Sequence, residues 1–380
     1  MILFNKPYVT GKEIDYIGEV IGSAKLSGNG AYTKKCHEWF KTGYKMRQVL
    51  LTSSCTDALE MMAILMGIKP GDEVIMPSYT FVSTANAFIL RGAKIRFADS
   101  RPDHPGMDED AIETLVTEKT RAIIPVHYAG VACDMDKISA IAQKHHLLVG
   151  EDAAQAIDSF YKGKALGSIG NLGAFSFHET KNISSGEGGM LSVNDPELSA
   201  RAEIIWEKGT NRSAFYRGEV DKYNWVDVGS SFLPSEITAA FLYAQLEQCK
   251  FIQERRNHIW NLYHTGLTMI AANGHFQVPF IPDYATTNGH MYYLVCNSLD
   301  ERTSLIDHLK SQGINAVFHY LSLHKSPFFE GDHDHRVLSQ SDRYTDCLVR
   351  LPLYCGLQDE EVEKVINAVK TWTERARSQR

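Results

Sequence analysis

Leu147-Leu148-Val149-Gly150-Glu151-Asp152-Ala153-Ala154-Gln155 and Ala174-Phe175-Ser176-Phe177-His178-Glu179-Thr180-Lys181 follow one pattern. Each is an apolar run of strand length that ends in ionisable side chains. Runs this short and this apolar, set between helical stretches, read as strands buried on both faces of a parallel sheet. The same rhythm holds from about residue 50 to 200. Further strands are expected at Val74–Met76, Ile95–Phe97, Ala122–Val126 and Met190–Val193, with the two quoted runs giving Leu147–Gly150 and Ala174–Phe177. Helices are expected between them at Thr56–Met66, Ser83–Leu90, Asp108–Val116 and Met135–His145. Strands alternating with helices predict an α/β fold with a mainly parallel sheet covered on both sides.

Outward from this block the pattern changes. Thr10-Gly11-Lys12-Glu13 has capping-box spacing ahead of Ile14, Ile17, Val20 and Ile21, which predicts a helix near 11–22. Residues 235–270 read as long helices that bridge into a second unit. Asn273–Pro282, with Gly274, Pro279 and Pro282, reads as a connection. Beyond it come a strand at Tyr292–Cys296, a helix at Arg302–Gln312, a strand at Ala316–His319 and a last helix near 359–373, with a frayed tail from Glu374 to Arg380. The expected division is a large domain over 1–250 and a smaller α+β domain over 251–380.

Composition bounds the function. The 380 residues carry 39 Lys+Arg against 46 Asp+Glu, a net charge of −7, which argues against a general nucleic-acid binder. A hydrophobic fraction of 44% with 22% charged residues supplies a large core. No apolar run reaches the length of about 18 residues that a membrane span needs, and the N-terminus lacks a secretory signal pattern. The seven cysteines, Cys36, Cys55, Cys133, Cys249, Cys296, Cys347 and Cys355, form no CxxC pair. A reducing cytoplasm and buried thiols are expected rather than a disulfide scaffold or a zinc site.

In an open parallel sheet, ligands bind at the carboxyl ends of the strands. Asp152 leaves one such strand, although an acid there also serves as an ordinary N-cap. Lys181 follows another. A lysine in a partly dehydrated pocket becomes a nucleophile toward carbonyls, although most loop lysines are simply solvated. Ser53-Ser54-Cys55-Thr56-Asp57 precedes a helix, where free amides and hydroxyls suit a phosphate, and Ser176 adds a hydroxyl. Tyr79 and Phe81 follow an earlier strand. Competing motifs fail: the chain has no G-x-x-x-x-G-K-[ST], no G-x-G-x-x-G after a strand and no H-E-x-x-H. His333-Asp334-His335 reads as a polar surface loop, and no metal is expected. Pyridoxal phosphate asks for the set that remains. Its aldehyde needs a lysine, its ring nitrogen an acid, its phosphate amides and hydroxyls, and its ring face a flat partner.

The chain resembles the DegT/DnrJ/EryC1/StrS sugar-nucleotide aminotransferases. The likeness is carried by Gly71–Ile75, Pro77–Asn86, Pro125–Tyr128, Glu151–Gln155, Phe175–His178 through Lys181-Asn182, and Gly186–Gly189, and it spans nearly the whole sequence. It implies fold type I, the aspartate aminotransferase-like fold. It implies that Lys181 attaches the cofactor, Asp152 pairs with the ring nitrogen, Gln155 contacts the ring hydroxyl and Phe81 stacks on the ring. Thr56, Asp57 (by its amide) and Ser176 would hold the phosphate. Asn224 would reach the phosphate from a partner subunit in a homodimer with a shared active site. His319, Tyr320 and His324 would meet the substrate. The stretches His127–Asp136 and Glu207–Ser213 through Asp221–Tyr223 are most similar to the branch that makes dTDP-4-amino-4,6-dideoxy-D-galactose, of enterobacterial common antigen type, with L-glutamate as donor. A 3-aminotransferase acting on a 3-keto sugar nucleotide is the nearest rival. A pyridoxal-dependent sugar dehydratase would lack Lys181, and a cofactor-binding regulator would need a DNA-binding segment, of which none is evident.

Overall fold

The structure, a computed structural model, describes residues 1–378. The chain enters through α1 (Glu13–Gly22) and α2 (Ala31–Tyr44) and then alternates: β1 (Gln48–Thr52), α3 (Cys55–Leu65), β2 (Glu73–Pro77), α4 (Val82–Ile89), β3 (Lys94–Ala98), α5 (Ile112–Leu115), β4 (Thr120–Ile123), α6 (Met135–His145) and β5 (Leu148–Asp152). A small hairpin of β6 (Phe160–Tyr161) and β7 (Lys164–Ala165) precedes β8 (Leu172–Ser176) and β9 (Gly189–Val193). The expected alternation is therefore present, with β1 and the short hairpin strands β6 and β7 not singled out by the sequence pattern.

These strands build a seven-stranded sheet in the order β1-β9-β8-β5-β4-β2-β3. Neighbours from β3 to β8 are parallel, while β9 runs antiparallel to both β8 and β1. Thr52 and Ser176 both pair with Gly189, and Asp152 pairs with Ala174. The ends of β1, β5 and β8 therefore lie along one edge, as the ligand rule for open sheets requires. One face packs on α2, α6 and α9 through Cys36, Phe40, Ile138 and Leu242, and the other on α3, α4 and α7 through Leu59, Met62, Phe88 and Ile205. Both faces being apolar is why the strand sequences show no alternation.

After α7 (Ser199–Trp206) and the short α8 (Arg212–Tyr216), α9 (Glu236–Glu247) leads into α10 (Cys249–Ala271). The start of α10 packs in the sheet core through Ile252, and its later turns pack in a second core through Ile259, Tyr263 and Leu267. This is the expected bridge. The second unit holds β10 (Phe276–Gln277), β11 (Tyr292–Cys296), α11 (Leu299–Ser311), α12 (Ser339–Cys347), β12 (Leu348–Leu351) and α13 (Asp359–Ser378). Its sheet is antiparallel, in the order β10-β11-β12.

Four local expectations change. The Glu13 carboxylate accepts from the Thr10 and Gly11 amides at 2.8 and 2.9 Å, but the Thr10 hydroxyl accepts from Lys12, so only half of a capping box forms. Ala316–His319 is not a strand. It makes a single antiparallel bridge, Val317 to Arg350, on the outer side of β12. Asp108–Val116 is a 3₁₀ turn at Glu109–Ala111 followed by the one-turn α5, since the Asp108 carboxylate captures the Asp110 amide. The tail expected to fray remains helical through Ser378; Gln379 and Arg380 lie outside the described residues. The N-terminus also crosses over: Ile2 sits in the second core and bridges to Ile314.

Candidate active site

A cavity of about 520 Å³ opens at the shared edge. Each wall follows from a strand end. After β1 the chain turns at Ser53-Ser54 into α3, and Ser54, Cys55 and Thr56 line one end of the cavity. The Thr56 hydroxyl donates to Ser83 Oγ at 2.8 Å, and Ser83 stands in the first turn of α4. Ser176, the last residue of β8, lines the same end. A helix start bearing hydroxyls, with Ser83 and Ser176 facing it, is an anion cradle.

Asp152 ends β5 and is 4% exposed. Its Oδ2 accepts from the Thr84 hydroxyl at 2.7 Å and its Oδ1 from the Ala154 amide at 3.1 Å. Burial pushes this carboxyl above the usual range, and the two hydrogen bonds and the nearby Lys181 only partly offset it. Lys181 follows β8 in the loop that returns to β9. Its amine lines the cavity and, among the described residues, makes neither a hydrogen bond nor an ion pair. Burial lowers its pKa, against the opposing pull of Cys55 and Asp152. Its position is held from behind. Asn182 donates to Gln253 Oε1 and to the Asn288 carbonyl, both at 2.9 Å, and its Oδ1 lies 2.8 Å from His290 Nδ1.

The acid and the amine thus share one cavity without forming an ion pair. An acid destabilised by burial is matched by a ligand that brings a cation, such as a protonated ring nitrogen. A depressed amine is matched by a carbonyl carbon. The residues present fit pyridoxal phosphate.

Gln155 also faces the cavity. Its Oε1 accepts from the Ala129 amide at 2.6 Å and its Nε2 donates to the Tyr320 hydroxyl at 3.0 Å. The Phe81 ring is 54% exposed at the cavity, 6.0 Å from that of Tyr320. His319 and Tyr320 stack with centroids 3.6 Å apart, and His319 Nδ1 shares a 2.6 Å hydrogen bond with the Tyr128 hydroxyl. Of the expected site residues, Thr56, Phe81, Asp152, Gln155, Ser176, Lys181, His319 and Tyr320 come together around this space.

Three do not. The Asp57 amide donates to Ser54 Oγ at 3.1 Å as the helix cap, and Asp57 is not part of the lining. His324 is buried elsewhere, 2.7 Å from Ser78 Oγ, where it ties β2 to the second unit. Asn224 is exposed beside Trp225, itself 82% exposed, with its amide on Asn211 Oδ1, outside the cavity of this chain. Among the lining residues that the sequence reading did not place in the site are Phe4, Ser83, Thr84, His290 and Arg350. Thr84 stands three residues past Phe81, one helical turn away, a spacing that points it to the same space. Arg350 is a charge inside the apolar run Leu348–Leu353, a signal that was available.

Known proteins show the same architecture. The profile of the DegT/DnrJ/EryC1/StrS aminotransferase family matches residues 7–370. The spore coat polysaccharide biosynthesis protein SpsC of Bacillus subtilis is 33% identical over 379 residues, covering 97% of this chain and 96% of SpsC. Among solved structures, the aminotransferase TlmJ of Streptoalloteichus hindustanus superposes with a TM-score of 0.90 at 28% identity, covering 99% of this chain and all of TlmJ. Spr1654 of Streptococcus pneumoniae, solved in its PMP form, gives 0.90 at 26% identity over 99% of this chain and all of Spr1654.

Proposed function

The chain belongs to the DegT/DnrJ/EryC1/StrS aminotransferase family, and we propose that it transfers the amino group of L-glutamate to a dTDP-4-keto-6-deoxyhexose, giving dTDP-4-amino-4,6-dideoxy-D-galactose for a cell-surface polysaccharide of the enterobacterial common antigen type. The cofactor is pyridoxal phosphate. The observation that carries the reading is the pairing of Asp152 and Lys181 in one cavity, beside the hydroxyl-lined start of α3. The match to SpsC, a polysaccharide biosynthesis protein by name, supports the sugar class. The PMP form of Spr1654 supports the cofactor. The likeness of His127–Asp136 to the 4-amino branch supports the sugar.

Bound pyridoxal phosphate supplies an aldehyde that carries the amino group and a ring that takes up the electrons freed at the donor's α-carbon. The protein does the rest. Lys181 would hold the cofactor through its aldehyde, and its amine would serve as the base that moves the proton from the donor Cα. Burial lowers the pKa of that amine, which favours its neutral, basic form. Asp152, oriented by Thr84 and Ala154, would hold the proton on the ring nitrogen. Thr56, Ser83 and Ser176 would hold the phosphate, Gln155 the ring hydroxyl and Phe81 the ring face. His319 and Tyr320 form the substrate wall. The large domain over 1–250 supplies the cofactor groups and 251–380 closes the site.

The segment around Asn224 exposes Tyr216, Tyr223 and Trp225, an apolar surface suited to a second copy of the chain. In the homodimer Asn224 completes the phosphate site of the partner. The decisive experiment is mass and NMR analysis of the product formed from dTDP-4-keto and dTDP-3-keto sugars with glutamate. A 4-amino galacto product is expected. A 3-amino product overturns the assignment of the sugar, and a protein whose visible absorbance does not bleach with glutamate overturns the amino transfer.

A further inference from the structure

His290 stands just before β11, buried yet part of the cavity lining. Its ring is neutral, because burial and the fields of Lys181, Arg256 and Arg350 hold its pKa well below the usual histidine range. A neutral imidazole carries its proton on one nitrogen, and the surrounding bonds fix which. They start from two backbone carbonyls, which only accept. Gln253 Nε2 donates to the Ile157 carbonyl at 3.1 Å, so Gln253 turns its Oε1 toward Asn182. Asn182 Nδ2 gives its hydrogens to that oxygen and to the Asn288 carbonyl, both at 2.9 Å. The remaining Asn182 Oδ1 can only accept, and it lies 2.8 Å from His290 Nδ1. The ring proton is therefore on Nδ1, and Nε2 bears a lone pair. Among the described residues Nε2 has no hydrogen-bond partner, yet it is not one of the sealed unpaired atoms of the interior, so the lone pair opens on the cavity.

An acceptor fixed this firmly in a cavity needs a donor, and the Lys181 amine is the one without a partner. Other groups around that amine are committed or unsuited. Asp152 serves the ring nitrogen in the reading above, burial keeps the Cys55 thiol protonated, and Arg350 is a cation. His319 shares its Nδ1 with the Tyr128 hydroxyl. His290 is also tied to the lysine itself. Asn182, which orients the ring, is the residue after Lys181, and Lys181 is the charge that acts most strongly on His290. A lysine that takes up a proton has hydrogens to place and no lone pair left. We propose that His290 Nε2 accepts a hydrogen bond from Lys181 Nζ whenever that amine is free of the cofactor, and so holds it in place through the proton transfer. The ring itself gains no proton: the one taken from the donor Cα stays on Nζ, and Nδ1 keeps its own. His290 is thus a positioning residue, and its role rests on the amino transfer proposed above.

Two substitutions split the two contacts of the ring. His290→Asn keeps a donor for Asn182 and removes the cavity acceptor. His290→Gln keeps an acceptor in the cavity and loses the bond to Asn182. In the cofactor-loaded protein, His290→Asn should slow bleaching by saturating glutamate by about tenfold or more, the scale of a lost hydrogen bond to a charged group, with the KM for glutamate within about threefold of wild type. His290→Gln should keep the rate within about threefold. A second readout needs no turnover. Cofactor-free protein labelled with 15N-histidine is loaded with pyridoxamine phosphate, which leaves Lys181 free. The His290 Nε2 resonance, identified by its absence from either variant, should be that of an unprotonated nitrogen. It should shift on loading in wild type and not in Lys181→Ala. A proton found on Nε2, or the same shift in Lys181→Ala, overturns the proposal even if neither His290 variant folds well enough for kinetics. Equal rates in wild type and His290→Asn overturn it too. So does equal damage in both variants, which would make the ring scaffolding, and so does a loss confined to the KM for the keto sugar nucleotide, which would give the acceptor to the sugar. A wild-type protein that fails to bleach at all refutes the amino transfer instead.

Discussion

Thr84 donates its hydroxyl hydrogen to Asp152 Oδ2 at 2.7 Å, from the first turn of a helix that follows a different strand. The Thr84 hydroxyl lies 3.0 Å from that of Thr80, so a short hydroxyl chain ends on the acid. This bond works against burial, which favours the neutral acid, and it fixes the direction in which the second oxygen faces the cavity.

Thr84→Val preserves shape and removes the donor. Hydrogen bonds to a charged group contribute about 1.5–3 kcal/mol, so turnover should fall roughly tenfold to a hundredfold. The Asp152 carboxyl should rise further, moving the acid limb of the pH–rate profile to higher pH. Wild-type turnover and an unmoved acid limb would remove Thr84 from the site.

The acid and the amine were legible for a common reason. β5 is a short apolar run closed by Glu151-Asp152 and β8 one followed within five residues by Lys181, and burial on both faces leaves no other pattern to confuse the reading. β1 was not legible, because Gln48–Thr52 runs directly into the polar turn Ser53-Ser54 and resembles the loop after it. The antiparallel direction of β9 was hidden too, since periodicity carries no direction. Asp57 and His324 stand in the expected stretches, but Ser54 occupies the amide of one and Ser78 the ring of the other. Local competition for hydrogen bonds is a tertiary fact. Arg350 was legible as a charge inside the apolar run Leu348–Leu353, but that its Nε is buried without an acceptor is a tertiary fact.

Asp152→Asn should separate stability from function. In the cofactor-free protein the folded carboxyl is raised above its unfolded value by burial. Its ionisation therefore weakens the fold as pH rises through the ordinary carboxylate range, with the full effect above the raised folded value. Asn removes that charge. The cofactor-free variant should melt at a higher temperature than wild type near neutral pH, and at the same temperature once the pH is acid enough to protonate both states of Asp152. With cofactor, turnover should fall by more than about a hundredfold, since the ring nitrogen loses its counter-charge. Calorimetry across pH on the cofactor-free pair checks the first effect. A variant that is less stable at neutral pH would mean that Asp152 already has a cationic partner.

Gly188 and Gly189 are neighbours with opposite tolerances. A Cβ on Gly189 would stand 2.3 Å from the Ser54 carbonyl group and 2.4 Å from the Cys55 nitrogen, all backbone. A Cβ on Gly188 would meet Ser185 Oγ at 2.3 Å, a side-chain atom that can rotate away. Gly189 pairs with Thr52 on one side and Ser176 on the other, so the strand cannot retreat, and the start of α3 must withdraw instead. Gly189→Ala should cost about 1–3 kcal/mol of stability, as overpacking does. It should also weaken cofactor binding by roughly tenfold or more, because the phosphate cradle begins at the displaced residues. Gly188→Ala should stay within about 0.5 kcal/mol of wild type. Thermal melts of the two variants, with cofactor titrations of the first, decide the matter: equal melting temperatures would mean that α3 does not lean on β9 at this point, and that the cradle is held by something other than the close approach of two backbones.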